Sequence, residues 1–473
     1  MLTAIITAPT IAGVKDQVLQ ASGQAECLEW RLDFLEKLDL DDVKAVRGAL
    51  SLPVIFTLRS VAQGGVYKGP EEQRLHDLTR LIALSPDYMD VEHDVSEHFI
   101  TALAEKNTKV ELIRSYHNFN DTPDDLRAIL TGLFHDDVTH YKLITTANST
   151  LDGLRVAKMV QETSGELSLA AHAMGAKGEA SRMIAAAVGS RFVYARLDDG
   201  PCPAPGVLGL RALSKLYRVK TMYGNTDLFA LLGHPVAHSV GHVFHNCRFR
   251  HEGRDATYVK LDLEGHELPA FFDMARTLPF KGFSVTMPHK AAVLDYCDVV
   301  DDRARTCGAA NTLTLMDGHW RATNTDGQAV ADALEAKISL RGASILIAGM
   351  GGAARAIAHE LASRGAKLTL LNRTYATAQR IASQLGGTAY ALDGHDWASA
   401  SYDAVIKALP SHVEAWDEAL VGACQSHGVG MDVNYVPRHS LFLKLLADAG
   451  VDTLNGRAMF LRQAHLQQEL WKK

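Results

Sequence analysis

Short apolar segments alternate with helical segments over the first 218 residues, and this alternation limits the possible folds more than any other feature of the sequence. Eight strands are predicted at residues 2–8, 26–33, 54–58, 88–92, 110–116, 140–145, 167–172 and 192–196. Helical periodicity follows each strand, for example at residues 71–83 and 152–162. Eight strand–helix units of this total length are typical of a (β/α)8 TIM barrel, and near-continuous apolar strands suit a buried parallel sheet. We therefore predict an α/β chain with a TIM barrel at residues 1–218, closed by a helix at 207–216.

A second α/β region follows a predicted linker at residues 218–225. It contains a strand at 343–348, the run GMGGA at 349–353, a helical segment at 354–364 and another strand at 367–372. A strand, a glycine-rich turn, a helix and a strand in this order are typical of a Rossmann-like fold. We predict a Rossmann-like domain at 329–438, and a further domain at 222–328 that is completed by C-terminal helices at 439–473.

The glycine-rich run predicts a dinucleotide site, because glycines let the backbone approach a pyrophosphate at a helix N-terminus. The candidate cofactor residues are Gly349, Gly351, Gly352, Ala353, Asn372, Arg373 and Thr374. Arg373 ends the strand on which NAD sites carry an acidic residue, and arginine suits a 2′-phosphate. The cofactor is therefore predicted to be NADP. Thr377 occupies the place where a second basic residue is expected, so some use of NAD stays open.

Charge and cysteine content exclude several functional classes. The net charge of −7 contains no block of like charge, which argues against a nucleic-acid partner and a membrane surface. No apolar run approaches the ~18 residues that span a bilayer. The six cysteines are scattered, so we expect no metal site and a reducing, cytoplasmic location. The sequence leaves the oligomeric state open.

Polar residues stand where the predicted barrel strands end, which is where barrel enzymes place their chemistry. They are Glu29, Arg31, Arg59, Glu92, His117 and Lys142, with Arg182 after the seventh strand. A lysine in a barrel mouth becomes a nucleophile toward ketones when its pKa is lowered. His117 could act as general base and acid, and the arginines could hold a carboxylate. These residues alone predict a Schiff-base lyase or aldolase with an anionic keto substrate. Glu92 is either a support residue or part of an ion pair at the rim.

Several segments of the first half resemble type I 3-dehydroquinate dehydratase. They are EWRLD at 29–33, FTLRS at 56–60, SYHNF at 115–119, the strand of Lys142, and Met174, Gly178 and Ser181-Arg182. The resemblance implies that Lys142 forms a Schiff base with the C3 ketone of 3-dehydroquinate. It also implies that His117 moves the C2 proton to the departing C1 hydroxyl. Glu29 and Arg31 would hold ring hydroxyls, Arg182 would bind the carboxylate, and Arg59 would support the site.

A second set of segments resembles shikimate dehydrogenase over residues 222–473. The set comprises SVTMPHK at 284–290, AANT at 309–312 and NTDG at 324–327, with Ser239 before it and Gln463 after it. The resemblance implies that Lys290 and Asp326 are the catalytic pair that reduces 3-dehydroshikimate to shikimate with NADPH. The substrate-binding residues that it implies are Ser239, Thr286, Asn311, Thr325, Gln463 and Tyr435.

Five positions depart from the two family patterns. Gln63 replaces a glutamate that supports the histidine, and Pro203 and Val207 replace a serine and a glutamine that contact substrate. Gly241 replaces a second serine that holds the substrate carboxylate, and Lys407 begins a run that usually reads Asn-Ala-Thr. These departures predict a slower dehydratase and looser selection between shikimate and quinate.

The main hypothesis is a bifunctional enzyme that dehydrates 3-dehydroquinate and then reduces the product to shikimate. A quinate/shikimate dehydrogenase with a weakened or silent dehydratase half is the alternative, motivated by Gly241 and the barrel departures. A metabolite sensor without turnover is a third interpretation, and the retention of Lys142 and Lys290 argues against it.

Overall fold

The computed structural model describes residues 1–200, 205–394 and 396–472. The chain divides into two compact units. The first comprises Met1–Leu231 and Pro235–Phe280, and the second comprises Leu232–His234 and the chain from Lys281 onward.

Eight parallel strands form the core of the first unit. They are β1 (Leu2–Ile6), β2 (Cys27–Arg31), β3 (Val54–Thr57), β4 (Tyr88–Glu92), β5 (Glu111–His117), β6 (His140–Thr146), β7 (Ser168–Met174) and β8 (Val193–Ala195). The strands pair in the order β7-β6-β5-β4-β3-β2-β1-β8, each parallel to its neighbour. This is a nearly closed TIM barrel, since no β7–β8 pairing occurs among the described residues. The predicted barrel is confirmed.

Seven helices follow the first seven strands. They are α1 (Ile11–Ala21), α2 (Leu40–Ala49), α3 (Glu71–Ile82), α4 (Glu97–Lys106), α5 (Leu126–Thr131), α6 (Thr150–Thr163) and α7 (Glu179–Ala187). The start of α6 shows why these sequences form helices where they do, because Ser149 and Asp152 make a reciprocal capping box. The closing helix predicted at 207–216 is shorter than expected. It begins after an isolated parallel bridge between Gly209 and Arg196, with residues 210–211 helical and a π-helix at Ala212–Leu216.

The first unit continues with two strands and two helices after the barrel. They are β9 (Asp227–Gly233), α8 (Gly241–His251), β10 (Ala256–Asp262) and α9 (Leu268–Ala275). Proline in the first turn of α9 suits a helix start, where a missing backbone N–H leaves no hydrogen bond unmade.

The second unit starts with four strands and two helices. They are β11 (Phe280–Val285), β12 (Val299–Val300), α10 (Asp302–Cys307), β13 (Thr312–Met316), β14 (His319–Thr323) and α11 (Asp326–Glu335). The strands follow one another in the order β11-β13-β14-β12. The stretch of chain from Val285 to Asp326 contains most of the catalytic and substrate-binding residues predicted for the dehydrogenase half.

A parallel six-stranded sheet with the order β17-β16-β15-β18-β19-β20 completes the second unit. Its elements are β15 (Ser344–Ala348), α12 (Gly352–Ser363), β16 (Lys367–Asn372), α13 (Tyr375–Leu385), β17 (Thr388–Ala391), β18 (Tyr402–Lys407), α14 (Asp417–Gly422), β19 (Cys424–Asp432), α15 (Leu441–Asp448) and β20 (Asp452–Asn455), followed by α16 (Gly456–Leu470). The strand order reverses beside β15, at the end of which α12 begins, so the predicted Rossmann-like fold is confirmed.

Candidate active sites

A cavity of ≈ 70 Å³ opens at the carboxyl ends of the barrel strands. Its walls are formed by Ile5, Glu29, Arg31, Arg59, Gln63, Gly64, His117, Phe119, Lys142, Ile144, His172, Met174, Arg182, Tyr194 and Val207. All six residues predicted for catalysis and substrate binding in this half therefore line one pocket.

Lys142 lies at the bottom of this pocket and is 4% exposed. Its Nζ donates to Glu29 Oε1 at 2.8 Å and to Asp90 Oδ2 at 3.4 Å, and it sits 4.0 Å above the centre of the Tyr194 ring. A buried ammonium group is tolerated only when it is paired, and here two carboxylates and an aromatic face share that task. The lysine is therefore held at a fixed point facing the cavity.

The carboxylate of Asp90 links Lys142 to Arg59. Asp90 Oδ2 is 2.8 Å from Arg59 Nη2, and Asp90 Oδ1 accepts from Ser115 Oγ at 2.6 Å. Burial opposes ionisation of Asp90, but Arg59, Lys142 and the Ser115 hydrogen bond outweigh it and lower the pKa of this carboxyl group. Asp90 therefore carries a negative charge shared by two buried cations.

Glu92, which lies on β4 with Asp90, also contacts Arg59. Arg59 Nη1 lies 3.3 Å from Glu92 Oε1, and Arg74 Nη2 lies 3.1 Å from Glu92 Oε2. Glu92 is 1% exposed, so it is a buried support of the arginine rather than part of an ion pair at the rim. This answers the question that the sequence left open.

His117 ends β5 beside the cavity and stacks on Phe119, with ring centres 6.2 Å apart. Burial, followed by the positive charges of Arg59, Lys142 and Arg31, holds the pKa of His117 well below its usual value. The imidazole is neutral at physiological pH, which is the form a general base requires.

The remaining two arginines have different environments. Arg31 makes a bidentate pair with Asp33, with distances of 2.9 Å from Nε to Oδ1 and 2.7 Å from Nη2 to Oδ2. Arg182 is buried, and its Nε donates to the carbonyl oxygen of Gly206 at 3.2 Å. Arg182 therefore ties the loop before the π-helix to the pocket wall.

Three wall or support residues were missed from the sequence: Asp90, His172 and Tyr194. Each lies between two apolar neighbours within its strand, and such residues are easily overlooked. The period of two along a strand could have found two of them, since Asp90 shares a face with Glu92, and His172 shares one with Met174.

Two of the three departures in the barrel lie at the pocket. Gln63 is buried, and its Oε1 accepts no hydrogen bond from the described residues. Its neutral amide supplies no charge to His117. Val207 is 7% exposed and contributes only an apolar surface. Pro203 lies outside the described residues.

The second candidate site centres on Lys290 and Asp326. Lys290 Nζ is 2.5 Å from Asp326 Oδ2, and the other carboxylate oxygen accepts from Asn311 Nδ2 at 2.7 Å. Asp326 is buried and begins α11, whereas the Lys290 side chain keeps 19% of its surface exposed. The aspartate is thus oriented by an amide while the lysine amine remains accessible.

The Asn311 amide gathers further predicted residues around this pair. Its Nδ2 also lies 3.0 Å from Thr325 Oγ1 and 3.0 Å from Gln463 Oε1. Gln467, one turn further along α16, donates to the carbonyl oxygen of Asn311 at 3.0 Å and accepts from Ser284 Oγ at 2.9 Å. Asn311, Thr325, Asp326 and Gln463 therefore form one hydrogen-bonded cluster.

Three other residues predicted to bind substrate are Thr286, Tyr435 and Ser239, and they lie outside this hydrogen-bonded cluster. Thr286 follows β11, four residues before Lys290, and Tyr435 lies beside Phe460 with ring centres 5.6 Å apart. Ser239 belongs to the first unit, where its Oγ accepts from the backbone N–H of Gly241 at 3.2 Å. A Cβ at Gly241 would lie 3.4 Å from Ser239 Oγ and 3.5 Å from the Tyr258 hydroxyl, so a side chain fits at this position.

The glycine-rich turn fits a dinucleotide. Gly349 has φ 102°, and a Cβ there would lie 2.6 Å from the carbonyl oxygen of Ala408. Gly351 caps α12 without a side-chain hydrogen bond, and a Cβ at Gly351 would meet nothing within 4 Å. The start of α12 therefore has open space beside Gly351 and no side-chain cap, as a pyrophosphate site requires.

The remaining cofactor candidates follow β16. Ala353 lies in the first turn of α12, and Asn372 Nδ2 donates to the carbonyl oxygen of Thr374 at 3.1 Å. Arg373, between Asn372 and Thr374 in the chain, is exposed, so its guanidinium group can reach a 2′-phosphate. These residues fit NADP.

Lys407 has a structural explanation. Its side chain is fully buried, and its Nζ lies 2.5 Å from Asp417 Oδ1. The lysine that replaces the family asparagine is therefore half of a core ion pair.

Two further observations limit the chemistry of the described residues. Among them, no three or more histidine, cysteine, aspartate or glutamate side chains are grouped so as to hold a metal ion. The helices in the described ranges are all too short or too polar to cross a membrane.

Family models match most of the chain in three consecutive segments. The model for type I 3-dehydroquinase matches residues 2–223. The model for the shikimate dehydrogenase substrate binding domain matches 231–313, and the model for shikimate/quinate 5-dehydrogenase matches 331–432.

Curated relatives match either nearly the whole chain or about half of it. A bifunctional 3-dehydroquinate dehydratase/shikimate dehydrogenase of Arabidopsis thaliana is 30% identical over 99% of this chain and 82% of its own. The shikimate biosynthesis protein AroDE of Chlamydia pneumoniae is 30% identical over 100% of this chain and 95% of its own. A shikimate dehydrogenase (NADP(+)) of Methanothermobacter thermautotrophicus is 36% identical over 52% of this chain and 92% of its own. With both halves matched in one order by full-length relatives, the chain belongs to the family of bifunctional 3-dehydroquinate dehydratase/shikimate dehydrogenases.

Proposed function

We propose that the chain converts 3-dehydroquinate to 3-dehydroshikimate in its barrel and reduces 3-dehydroshikimate to shikimate in its second half. The observation that carries the proposal is the barrel pocket, in which a buried lysine faces a cavity together with His117 and three arginines. A buried amine, a neutral imidazole and a cationic wall are what Schiff-base chemistry on an anionic ketone needs.

In the dehydratase reaction, Lys142 Nζ attacks the C3 carbonyl carbon, the carbonyl oxygen leaves as water, and an iminium replaces the ketone. The iminium acidifies the C2 proton, because the resulting electron pair is delocalised as an enamine. His117 removes that proton and returns it to the C1 hydroxyl, which leaves as water. Hydrolysis of the iminium releases 3-dehydroshikimate and regenerates Lys142.

The other pocket residues bind and orient the substrate. Arg182 is assigned to the carboxylate, because a buried guanidinium group in a pocket wall favours a bound anion. Glu29 and Arg31 are assigned to ring hydroxyls. Arg59 orients Lys142 through their shared partner, Asp90.

In the reductase reaction, Lys290 stabilises the alkoxide that develops at C3 and donates a proton to it. Asp326 holds Lys290 in place and keeps its charge balanced. Asn311, Thr325 and Gln463 orient the ring hydroxyls, with Thr286 and Tyr435 as further substrate contacts. The resemblance assigns Ser239 to the substrate carboxylate.

NADPH supplies the hydride when it is bound. The open start of α12, with Gly349, Gly351, Gly352 and Ala353, would hold the pyrophosphate, and Arg373 with Asn372 and Thr374 would hold the 2′-phosphate. The name of the Methanothermobacter thermautotrophicus relative supports NADP as the cofactor.

Three domains are assigned to these tasks: the dehydratase barrel at 1–218, a substrate-binding domain at 222–328 completed by 439–473, and an NADP domain at 329–438. The segments matched by the three family models support this division. A reducing, cytoplasmic location is supported by Cys27, Cys247, Cys297, Cys307 and Cys424, none of which forms a disulfide bond within the described ranges.

The test is to supply the purified protein with 3-dehydroquinate and NADPH and to identify the products by mass. Shikimate is the expected product, and borohydride added without NADPH should trap substrate on the peptide that contains Lys142. Quinate without shikimate would instead favour a quinate/shikimate dehydrogenase with a silent barrel, for which the room beside Gly241 is the supporting observation.

A further inference from the structure

The end of β10 contacts the barrel at two residues. The carbonyl oxygen of Asp262 accepts from Thr150 Oγ1 at 2.6 Å and from Lys177 Nζ at 3.3 Å, and Lys177 Nζ lies 3.9 Å from Asp262 Oδ1. All three residues belong to the first compact unit. Thr150 and Lys177 lie in the segment matched by the type I 3-dehydroquinase model, whereas Asp262 lies in the segment matched by the shikimate dehydrogenase substrate binding domain. A residue of the second family segment therefore holds two residues of the first.

Thr150 and Lys177 lie at the end of the barrel where the pocket opens. Thr150 begins α6, which follows the strand of Lys142, and Lys177 lies in the turn that connects β7 to α7. Such connections leave the barrel at the carboxyl ends of its strands, which is the face that carries the chemistry. Thr150 is 3% exposed, and the Lys177 side chain is 28% exposed. The contact with β10 is therefore at the rim of the dehydratase pocket.

The turn that contains Lys177 is held rigid by its own hydrogen bonds. Ser181 Oγ donates to the carbonyl oxygen of Gly178 at 2.6 Å and accepts from the backbone N–H of Ala173 at 2.9 Å. The backbone N–H of Gly178 donates to the carbonyl oxygen of Gly175 at 3.1 Å. A Cβ at Gly178 would lie 2.4 Å from the carbonyl oxygen of Ala173, so the turn is also tightly packed. A displacement of Lys177 would therefore move the turn as one body.

Two parts of the pocket depend on where this turn lies. Met174, directly before it, and Arg182, in the first turn of α7, both line the cavity. The backbone N–H of Gly175 donates to the carbonyl oxygen of Pro205 at 3.1 Å, and Arg182 Nε donates to that of Gly206 at 3.2 Å. The turn therefore sets the position of the arginine assigned to the substrate carboxylate and of the loop beside it.

We propose that Lys177 is a positioning residue of the dehydratase pocket and that Asp262, in the dehydrogenase half, is its anchor. This inference rests on the proposed dehydratase function. Lys177 acts through the turn, from which Arg182 reaches the substrate carboxylate. Lys142 and His117 lie on β6 and β5, outside the turn. Substrate binding therefore depends on the anchor more than the chemical steps do.

The experiment compares the steady-state dehydration of 3-dehydroquinate by full-length variants. Lys177→Met removes the hydrogen bond and the ion pair together, so we expect it to raise KM about 3- to 10-fold and to leave kcat near the wild-type value. Lys177→Arg keeps the charge and the donors and should recover most of the wild-type KM. Asp262→Asn removes only a partly exposed ion pair, so its KM should rise by about twofold.

Further variants separate positioning from stability. Thr150→Val removes the other hydrogen bond to Asp262, so it probes the same contact independently and should also raise KM. Asp262→Asn should have no further effect in a Lys177→Met background, because the two side chains act as one unit. Lys158→Met, in the middle of α6, is the control for the loss of one positive charge and should keep the wild-type KM. A merely structural lysine would change the fraction of folded chains, and so the apparent kcat, without changing KM.

An unchanged KM in Lys177→Met and Thr150→Val, or effects of Lys177→Met and Asp262→Asn that add in full, overturns this inference alone. A wild-type protein that does not dehydrate 3-dehydroquinate overturns the proposed function instead, so the two failures are distinguishable.

Discussion

The two halves of the molecule each present a lysine to a candidate site, but in opposite surroundings. Lys142 is nearly inaccessible and contacts Glu29, Asp90 and the face of Tyr194. Lys290 has one carboxylate partner, Asp326, and keeps part of its side chain exposed.

The difference matches what each amine is asked to do. A lysine that forms a bond to carbon must lose protons in a dry pocket, so it needs neighbours that balance its charge and accept protons. A lysine that only stabilises an alkoxide keeps its charge, and one oriented carboxylate is enough. The density of polar contacts around a catalytic lysine therefore distinguishes covalent from electrostatic roles.

Removing either lysine amine should produce the largest loss of activity. Lys142→Met should bring dehydration below detection and leave the reduction of 3-dehydroshikimate unchanged. Lys290→Met should lower reduction by ~10²–10⁴-fold and leave dehydration unchanged, because it removes charge stabilisation and proton donation but no covalent intermediate. Separate assays of the two half-reactions check this, and loss of both activities in one variant would contradict it.

The carboxylates beside the two lysines should differ in their effect on stability. Asp90→Asn should lower the free energy of unfolding by ~3–5 kcal/mol, because Arg59 and Lys142 lose a shared counter-charge in a buried site. Asp326→Asn should cost less than half of that, since Lys290 can reach water. Urea unfolding of both variants measures the contrast, and equal losses would show that burial of the pair does not set its stability.

The barrel pocket should make stability depend on pH through its two imidazoles. Both have lowered pKa values, so the folded state binds fewer protons than the unfolded state. Their contribution is present above pH ~6.5 and is lost as the pH falls toward their folded pKa values, by at most ~1.4 kcal/mol per pH unit for each. Urea midpoints between pH 7 and 5 should therefore fall less steeply in a His117→Gln, His172→Gln double variant. Parallel curves for the double variant and wild type would refute the prediction.

The smallest expected effect concerns the restored serine in the second half. Gly241→Ser fits the available space and should add ~1 kcal/mol of substrate binding, seen as a several-fold lower KM for 3-dehydroshikimate. Gly241→Ala is the matched control, because it adds the Cβ without the hydroxyl. An equal change in KM for both variants would assign the effect to packing.

Most of the fold could be predicted from the sequence, because buried parallel strands produce apolar runs with recognisable ends. The predicted second strand at 26–33 and the observed Cys27–Arg31 differ by one or two residues at each end. The region near 207 was predicted less well, since the contact of Gly209 with Arg196 is tertiary and leaves no periodic signal.

The sites were predictable to different degrees. Polar residues at strand ends led directly to Lys142 and His117, because barrel geometry places strand ends around one cavity. Asn311 and Gln463 come together across 152 residues of chain, and only the resemblance to a family linked them. His172 was missed because only its position two residues before Met174, on the same face of β7, marks it as facing the cavity.

The attachment of α16 to the second site has a consequence for biosynthesis. Gln463 and Gln467 bond to Asn311, and Trp471 Nε1 donates to the carbonyl oxygen of Leu313 at 3.0 Å. A ribosome makes these residues long after β13, whereas every residue of the barrel pocket has emerged before Tyr223. A nascent chain would thus acquire dehydratase competence first. A stop codon between Phe280 and α16 would leave the first compact unit whole while removing residues that the second site needs.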